Sequence, residues 1–536
     1  MNNCWIRLFI LLLPLTIYSK SLLAIDYEGI SYDVYSSEDK TLIVSSIDSR
    51  IRGRITSLDI PETIFAMNAT YTVVAIRKWA LDFCTKLEFV NIPKTVFEIN
   101  GNLAYGDDKL VAYNVADDNP YFTSIDGVIY DKEIKTLIKC PNGKTEVVIP
   151  ETLVEIGEFA FSGCKGISSI VLPQSVTKLG DDSFSYCYNL SRVELSENIT
   201  HIGSSSFDHC EKLSAIQLPE KLTYLGSFAF SYCRSFETVK VPESVSEWGI
   251  NVFCDCTSLV SATLPSTLTS IPSGIFSGCS ALTDVEIPSS VTCIESGAFA
   301  DCKSLTSINI PKNINTFEMV AFMNCKSLKS IYIPAGLEKI SYLCFRGCES
   351  LDTFIVDENN KVFLAEGSML VSKDKSLLYA FPSAKGEEEI PEFITTIGYC
   401  SMAGCENLNV ITLPENLQLI DGSAFFDCLN LHRLNFRSLI PPEIGYTAFY
   451  TESTEEVYHE FYVPVESLNL YREAFPYTYI LPWKEADVEV VPEIPLSLSY
   501  QVFTIDGRTV MITDNPDKLR FLPHGVYIVN GKKIIL

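Results

Sequence analysis

Apolar positions in this chain follow one long period. The unit reads S-G-A-F-A-D-C-K-S-L-T-S-I-N-I-P from Ser296 to Pro311, and its copies repeat every 23 residues. Nine cysteines keep that spacing: Cys164, Cys187, Cys210, Cys233, Cys256, Cys279, Cys302, Cys325 and Cys348. A phenylalanine stands three residues before each of them, and usually a leucine three after. Apolar residues alternate at six and eight beyond, as in Ile308 and Ile310, and a proline usually closes the stretch. A fixed period of this length marks a solenoid, in which one repeat cannot bury its apolar face but a stack can.

The I-x-I stretch predicts a short strand with one face buried. Proline ends it where no ladder hydrogen bond is needed. The F-x-x-C-x-x-L stretch, apolar at every third position, predicts one or two helical turns facing inward. The expected fold is therefore an α/β solenoid of 23-residue coils with short parallel strands. Its interior stacks side chains in columns, with Phe184, Cys187 and Leu190, or Phe299, Cys302 and Leu305, as structural core. The frame returns at Cys405 and Cys428, and an early copy centres on Cys84.

Two long units interrupt the rhythm at about 119–141 and 360–382. Each has two apolar runs around a charged turn, Asp131-Lys132-Glu133 or Lys373-Asp374-Lys375, which predicts a β-hairpin that lengthens the local sheet. At the start, Arg7 precedes the apolar run Leu8–Tyr18, so residues 1–24 read as a secretion signal. Residues 25–59 read as a β-rich cap and 60–435 as the solenoid. Residues 436–484, dense in aromatics, read as a terminal cap. An acidic link follows at 485–495, and 496–536 reads as a small β-module with D-G and N-G turns.

The net charge of −26, from 67 acidic and 41 basic residues, argues against nucleic acid as a partner. Eighteen cysteines in a secreted chain would ordinarily suggest disulfides. Here equivalent cysteines of adjacent coils stand about 4.8 Å apart with parallel side chains, which suits buried thiols better than bridges. The off-column residues Cys140, Cys254, Cys293, Cys344 and Cys400 stay open on that point. A ladder of single cysteines gathers no metal ligands. No catalytic constellation or phosphate-cradling loop is present, so neither an enzyme nor a cofactor is expected.

A solenoid instead offers a long face. Its outward strand positions include Arg192, Glu194, Lys240, Asp284, Glu286 and Tyr332, the candidate ligand contacts. The set is mixed in sign and lacks repeated aromatics. A binding or adhesion protein is the leading expectation. An envelope spacer and a degradative enzyme with a cleft assembled in three dimensions are the others.

The repeat A-F-x-x-C-x-x-L-x-x-I-x-I-P resembles the leucine-rich repeat of the bacterial surface antigen A type over about residues 60–484. The likeness includes N-P-Y-F-T-S-I-D-G-V-I-Y at 119–130. It implies a right-handed solenoid and, for some members, adhesion to host matrix or bacterial surface proteins. A protein or glycan ligand is therefore the implied partner. The tail, with L-P-H-G-V-Y-I-V-N-G-K-K at 522–533, resembles the C-terminal modules of secreted Bacteroidetes proteins. That implies secretion machinery as a second partner and an outer-surface or secreted location.

Overall fold

A computed structural model describes residues 24–99, 102–104, 106–451, 459–476 and 478–483, together with the backbone of four later strands. Residues 1–23 of the expected signal lie outside the described residues. The chain divides into two compact units, Met1–Leu481 and Pro482–Leu536. The second holds one antiparallel sheet in the order Thr509–Thr513, Tyr500–Thr504, Val526–Val529, Lys532–Ile535. Among the described residues no helix is long and apolar enough to cross a membrane.

The first unit is the β-solenoid. Each regular coil carries two strand positions where the sequence predicts one strand. The first row holds the I-x-I segments, such as Ser169–Val171 beside Arg192–Glu194, in parallel register one coil apart. A second row of two-residue strands runs Glu155–Ile156, Lys178–Leu179, His201–Ile202, Tyr224–Leu225, Glu247–Trp248. In these five coils a glycine follows each strand and lies against the backbone of the coil before it. A Cβ on Gly226 would lie 2.3 Å from the Ser204 nitrogen, and one on Gly249 2.1 Å from the Ser227 nitrogen. Backbone cannot yield cheaply there. Gly249→Ala is expected to lower stability by about 1–3 kcal/mol, the usual overpacking cost, read as a drop in the urea midpoint.

The F-x-x-C-x-x-L stretch corrects the expected helical turns. Its local bonds span three residues, as in Cys187 N–H to Phe184 O and Leu190 N–H to Cys187 O. The residues two before and two after each phenylalanine are left-handed, for example Asp182 at φ 53° and Tyr186 at φ 58°. This alternation turns three N–H groups per coil toward the next one: Asp182 to Ser204 O, Phe184 to Ser206 O and Tyr186 to Asp208 O, at 2.7–2.8 Å. In a helix those donors would point along its own axis and leave the neighbouring carbonyls unpaired. Left-handed non-glycine residues each cost about 1–3 kcal/mol, and the inter-coil ladder offsets it.

The predicted columns are present. Phenylalanine rings from Phe161 to Phe345 stack coil on coil, with centroids 4.8–6.0 Å apart. Phe184, Cys187, Leu190, Phe299, Cys302 and Leu305 are all buried. The cysteine has a directional role that periodicity did not reveal. Its thiol donates to the carbonyl of the phenylalanine one coil back, Cys187 to Phe161 O at 3.1 Å and Cys348 to Phe322 O at 3.0 Å. The same bond recurs in every coil between them. A small apolar side chain that is also a weak donor fits this place.

Burial raises each ruler thiol from Cys187 to Cys348, the last to about 12. Every described cysteine, off-column ones included, is free of disulfides. Alkylation of the native protein is expected to leave the column unlabelled, and full labelling to require unfolding. Labelling of the column at the same rate without denaturant would contradict this.

The two inserts do more than lengthen a sheet. Each is a three-stranded meander, Phe122–Ile125, Val128–Asp131, Thr136–Lys139 and Phe363–Glu366, Met369–Ser372, Leu377–Ala380. The last strand of each joins the second row. The middle strand crosses the interior, and its two faces serve different cores. Val128 and Tyr130 pack into the core that runs to Ala380, while Ile129 closes the one that begins at Ile25. Leu370 faces the same middle core, and Met369 and Val371 face a third one ending at Ile480. The inserts are thus septa that divide the solenoid interior into three.

One asparagine fixes each septum. Buried Asn119 donates to Pro93 O and Val96 O and accepts from Tyr121 N–H and Phe122 N–H, all at 2.8–3.0 Å. Asn360, 241 residues later (360 − 119), repeats this with Pro334 O, Leu337 O, Val362 N–H and Phe363 N–H. Gly127, at φ 75°, lets the first hairpin turn lie on the first row; a Cβ there would lie 2.6 Å from that of Ala112.

The N-terminal sheet runs past residue 59. It includes Thr63–Ala66 and Ala69–Ile76, and the latter pairs with Glu98–Ile99, the first member of the second row. At the far end Phe436, Phe461, Tyr471 and Phe475 pack ring against ring, and the Tyr471 hydroxyl donates to Ser438 O at 3.0 Å.

Candidate ligand-binding grooves

The outward residues of the first row fall on three separate sheets. Arg192 and Glu194 share a strand and pair with each other, which neutralises both charges locally. Lys240, Asp284 and Glu286 are exposed on the sheet Thr238–Lys240, Ser261–Thr263, Asp284–Glu286. Tyr332 is half-buried and donates its hydroxyl to Asp357 at 2.8 Å. No concavity among the larger grooves gathers these six side chains.

One groove, about 400 Å³, lies on the first row against Asp59, Asn91 and Asn114, and the others lie elsewhere. Two of these open where a septum interrupts the second row of strands. The first, about 470 Å³, begins beside Ile99, Thr136 and Ile138 and runs along the coils that follow. Its floor is the glycine column Gly157, Gly180, Gly203. One wall is the in-register series Glu155, Lys178, His201, Tyr224, and Glu158 and Asp181 also line it. Glu155 holds the Lys178 ammonium at 2.7 Å and raises its pKa. His201 and Tyr224 stack at 5.4 Å.

The second groove, about 570 Å³, lies between Lys339–Ile340 and the septum strand Leu377–Ala380. Tyr342 and Tyr399 stand edge to face across it, 5.8 Å apart, with 49% and 50% of their surfaces exposed. Its charges other than Asp421 are committed. Lys339 sits 2.9 Å from Glu318 and lowers its pKa. Arg346 reaches Asp427 and lies over the Phe426 ring at 4.8 Å. That leaves an aromatic, half-apolar trough. Cys344 and Cys400 line it, and burial pushes the Cys400 thiol up to about 11. A smaller groove, about 360 Å³, marks another break in the second row, where Trp248 replaces the usual aliphatic residue and Pro272 follows the last glycine of the column.

Sequence reasoning missed these sites because it read one strand per coil. The available signal was the inserts, together with Tyr342 and Tyr399 just beyond second-row positions. Among the described residues no group of three His, Cys, Asp or Glu side chains is placed to hold a metal ion.

Residues 138–260, 249–366 and 379–480 match the family described as BspA type leucine rich repeat region. No curated protein matches the chain. Among solved structures, a leucine-rich repeat protein from Bacteroides ovatus is similar at 23% identity and a TM-score of 0.38, covering 82% of this chain and 99% of that one. The pneumococcal vaccine antigen PcpA is similar at 15% and 0.34, covering 86% and 99%. A leucine-rich cell surface protein from Faecalibacterium prausnitzii is similar at 18% and 0.26, covering 88% and 100%.

Proposed function

This chain belongs to the BspA-type leucine-rich repeat family, and from that premise we propose that it is an adhesion protein of the cell exterior, binding its ligand in the septum grooves. The observation that carries the reading is that a groove of several hundred Å³ opens at each of the two septa, where the second row is interrupted. The second groove supplies the exposed, rigid aromatic pair from which protein interfaces draw their anchors. A host matrix or bacterial surface protein fits it best; a glycan suits the first groove, where carboxylates and a stacked ring pair lie together. The signal-like start and sorting-like tail support export and surface attachment, with 25–59 and 436–484 as the ends of the binding solenoid. Catalysis is not part of the reading.

The test is capture from matrix and bacterial surface extracts by the full chain. Replacing Tyr342 and Tyr399 by alanine together should abolish saturable binding. Replacing Arg192, Lys240 and Asp284 should leave it intact. The reverse pattern returns the ligand to the first row. Absence of any saturable partner favours an envelope spacer, whose deletion weakens the envelope without loss of adhesion.

A further inference from the structure

The two septa are built alike but bury different chemistry. The 241-residue offset sets Asn102, Ala104, Asp107, Tyr113, Lys139 and Asn142 of the first against Leu343, Phe345, Cys348, Phe354, Ala380 and Ser383 of the second. Asp107 stands 23 residues after Cys84 (84 + 23), where a regular coil carries its thiol donor. It is fully buried, and neither carboxyl oxygen has a well-formed hydrogen bond; the Cys84 N–H approaches it and favours the anion, but less than burial and Asp82 oppose it. Tyr113 Oη and Asn142 Oδ1 are likewise buried without partners.

The groups lie in one region. Asn142 donates to Ala104 O at 3.1 Å, and Asp107 and Tyr113 interact electrostatically. The charged and titratable groups around Asp107 are Asp82, Asp108, Arg52, Cys84 and Tyr113. Two carboxylates outweigh one guanidinium. Lys139 is no counter-ion, since its three protons go to Asn102 Oδ1, Phe159 O and Ser162 O.

We propose that the first septum is a pH-responsive joint: Asp107 completes the packing between the first two cores as a neutral acid, its ionisation loosens them, and the second septum stays indifferent. A neutral carboxyl can donate a proton as the ruler thiols do, while an ionised one only accepts. Burial, with Asp82 adding to it, pushes the Asp107 carboxyl up to about 8. An unfolded aspartate titrates near ~4. The folded state therefore holds the extra proton between these values. Its contribution to stability is full below about 4 and is lost as pH rises through about 8. Because the first groove begins at this septum, the joint also tunes that groove, a corollary that rests on the proposed function.

Hydrogen exchange of the full chain at about pH 6 and pH 9, corrected for intrinsic rates, tests the joint. Protection at 106–113 and 128–140 should fall roughly tenfold at the higher pH relative to 343–354 and 369–381. Asp107→Cys, which copies the second septum, should remove the difference. An equal response of both septa overturns the proposal, and so does a response that survives in Asp107→Cys. The comparison within the wild-type chain decides even if that variant does not fold. It needs no ligand, so failure of the groove reading is seen separately, as absent capture at both pH values.

Discussion

Lys139→Ala is expected to destabilise the protein by about 3–5 kcal/mol, the range for large-to-small substitution in a core with buried acceptors left unpaired. Lys139 is completely buried, and its ammonium is held by three oxygens at 3.1–3.2 Å. Two of them, Phe159 O and Ser162 O, belong to the turn of the following coil. Elsewhere the carbonyl at the Ser162 position receives a backbone N–H from the preceding coil, as Ser185 O does from Gly163, whereas Phe159 O already accepts the local Ser162 N–H. The lysine side chain substitutes for the missing donor to Ser162 O and adds a second bond to Phe159 O. Burial pulls its pKa down. The unfolded state therefore binds more protons between that lowered value and about 10.5, and the associated penalty eases as pH rises through that window.

The second septum suggests the rescue. It has Phe345 and Ala380 where the first has Ala104 and Lys139. Ala104→Phe with Lys139→Ala should recover much of the loss, whereas Ala104→Phe alone should overpack the site. Urea midpoints of the single and double variants measure the coupling. Strict additivity would show that the lysine stem does not occupy the place of the missing ring.

Asn360→Leu should cost about 3–4 kcal/mol, because a side chain of similar size removes four buried hydrogen bonds at once. The loss should be local. Asn360 ties the strand of the second septum to the coil before it, and the third core begins on the far face of that septum. Amide exchange should accelerate across 386–436, while coils 161–345 keep their protection. Uniform acceleration would mean that the septa do not separate cooperative units.

The sequence by itself determined the coil length, the Phe-Cys-Leu columns, the one-sided I-x-I strand and the two interruptions. All follow from side-chain periodicity, and burial of one apolar face is enough to specify them. Even Asp107 was legible by counting 23 residues from Cys84. The tertiary structure decided what periodicity cannot encode. Apolar spacing of three is common to a helix and to linked turns, and only the direction of the N–H groups, set by bonds to the next coil, separates them. A second-row strand of two residues carries too little pattern to be seen alone, and its glycine matters only once another backbone lies against it. The septa divide one core into three because alternate residues of a hairpin face opposite ways, which becomes consequential only with apolar stacks on both sides. The grooves follow from the same fact, since a septum that joins the second row also breaks it.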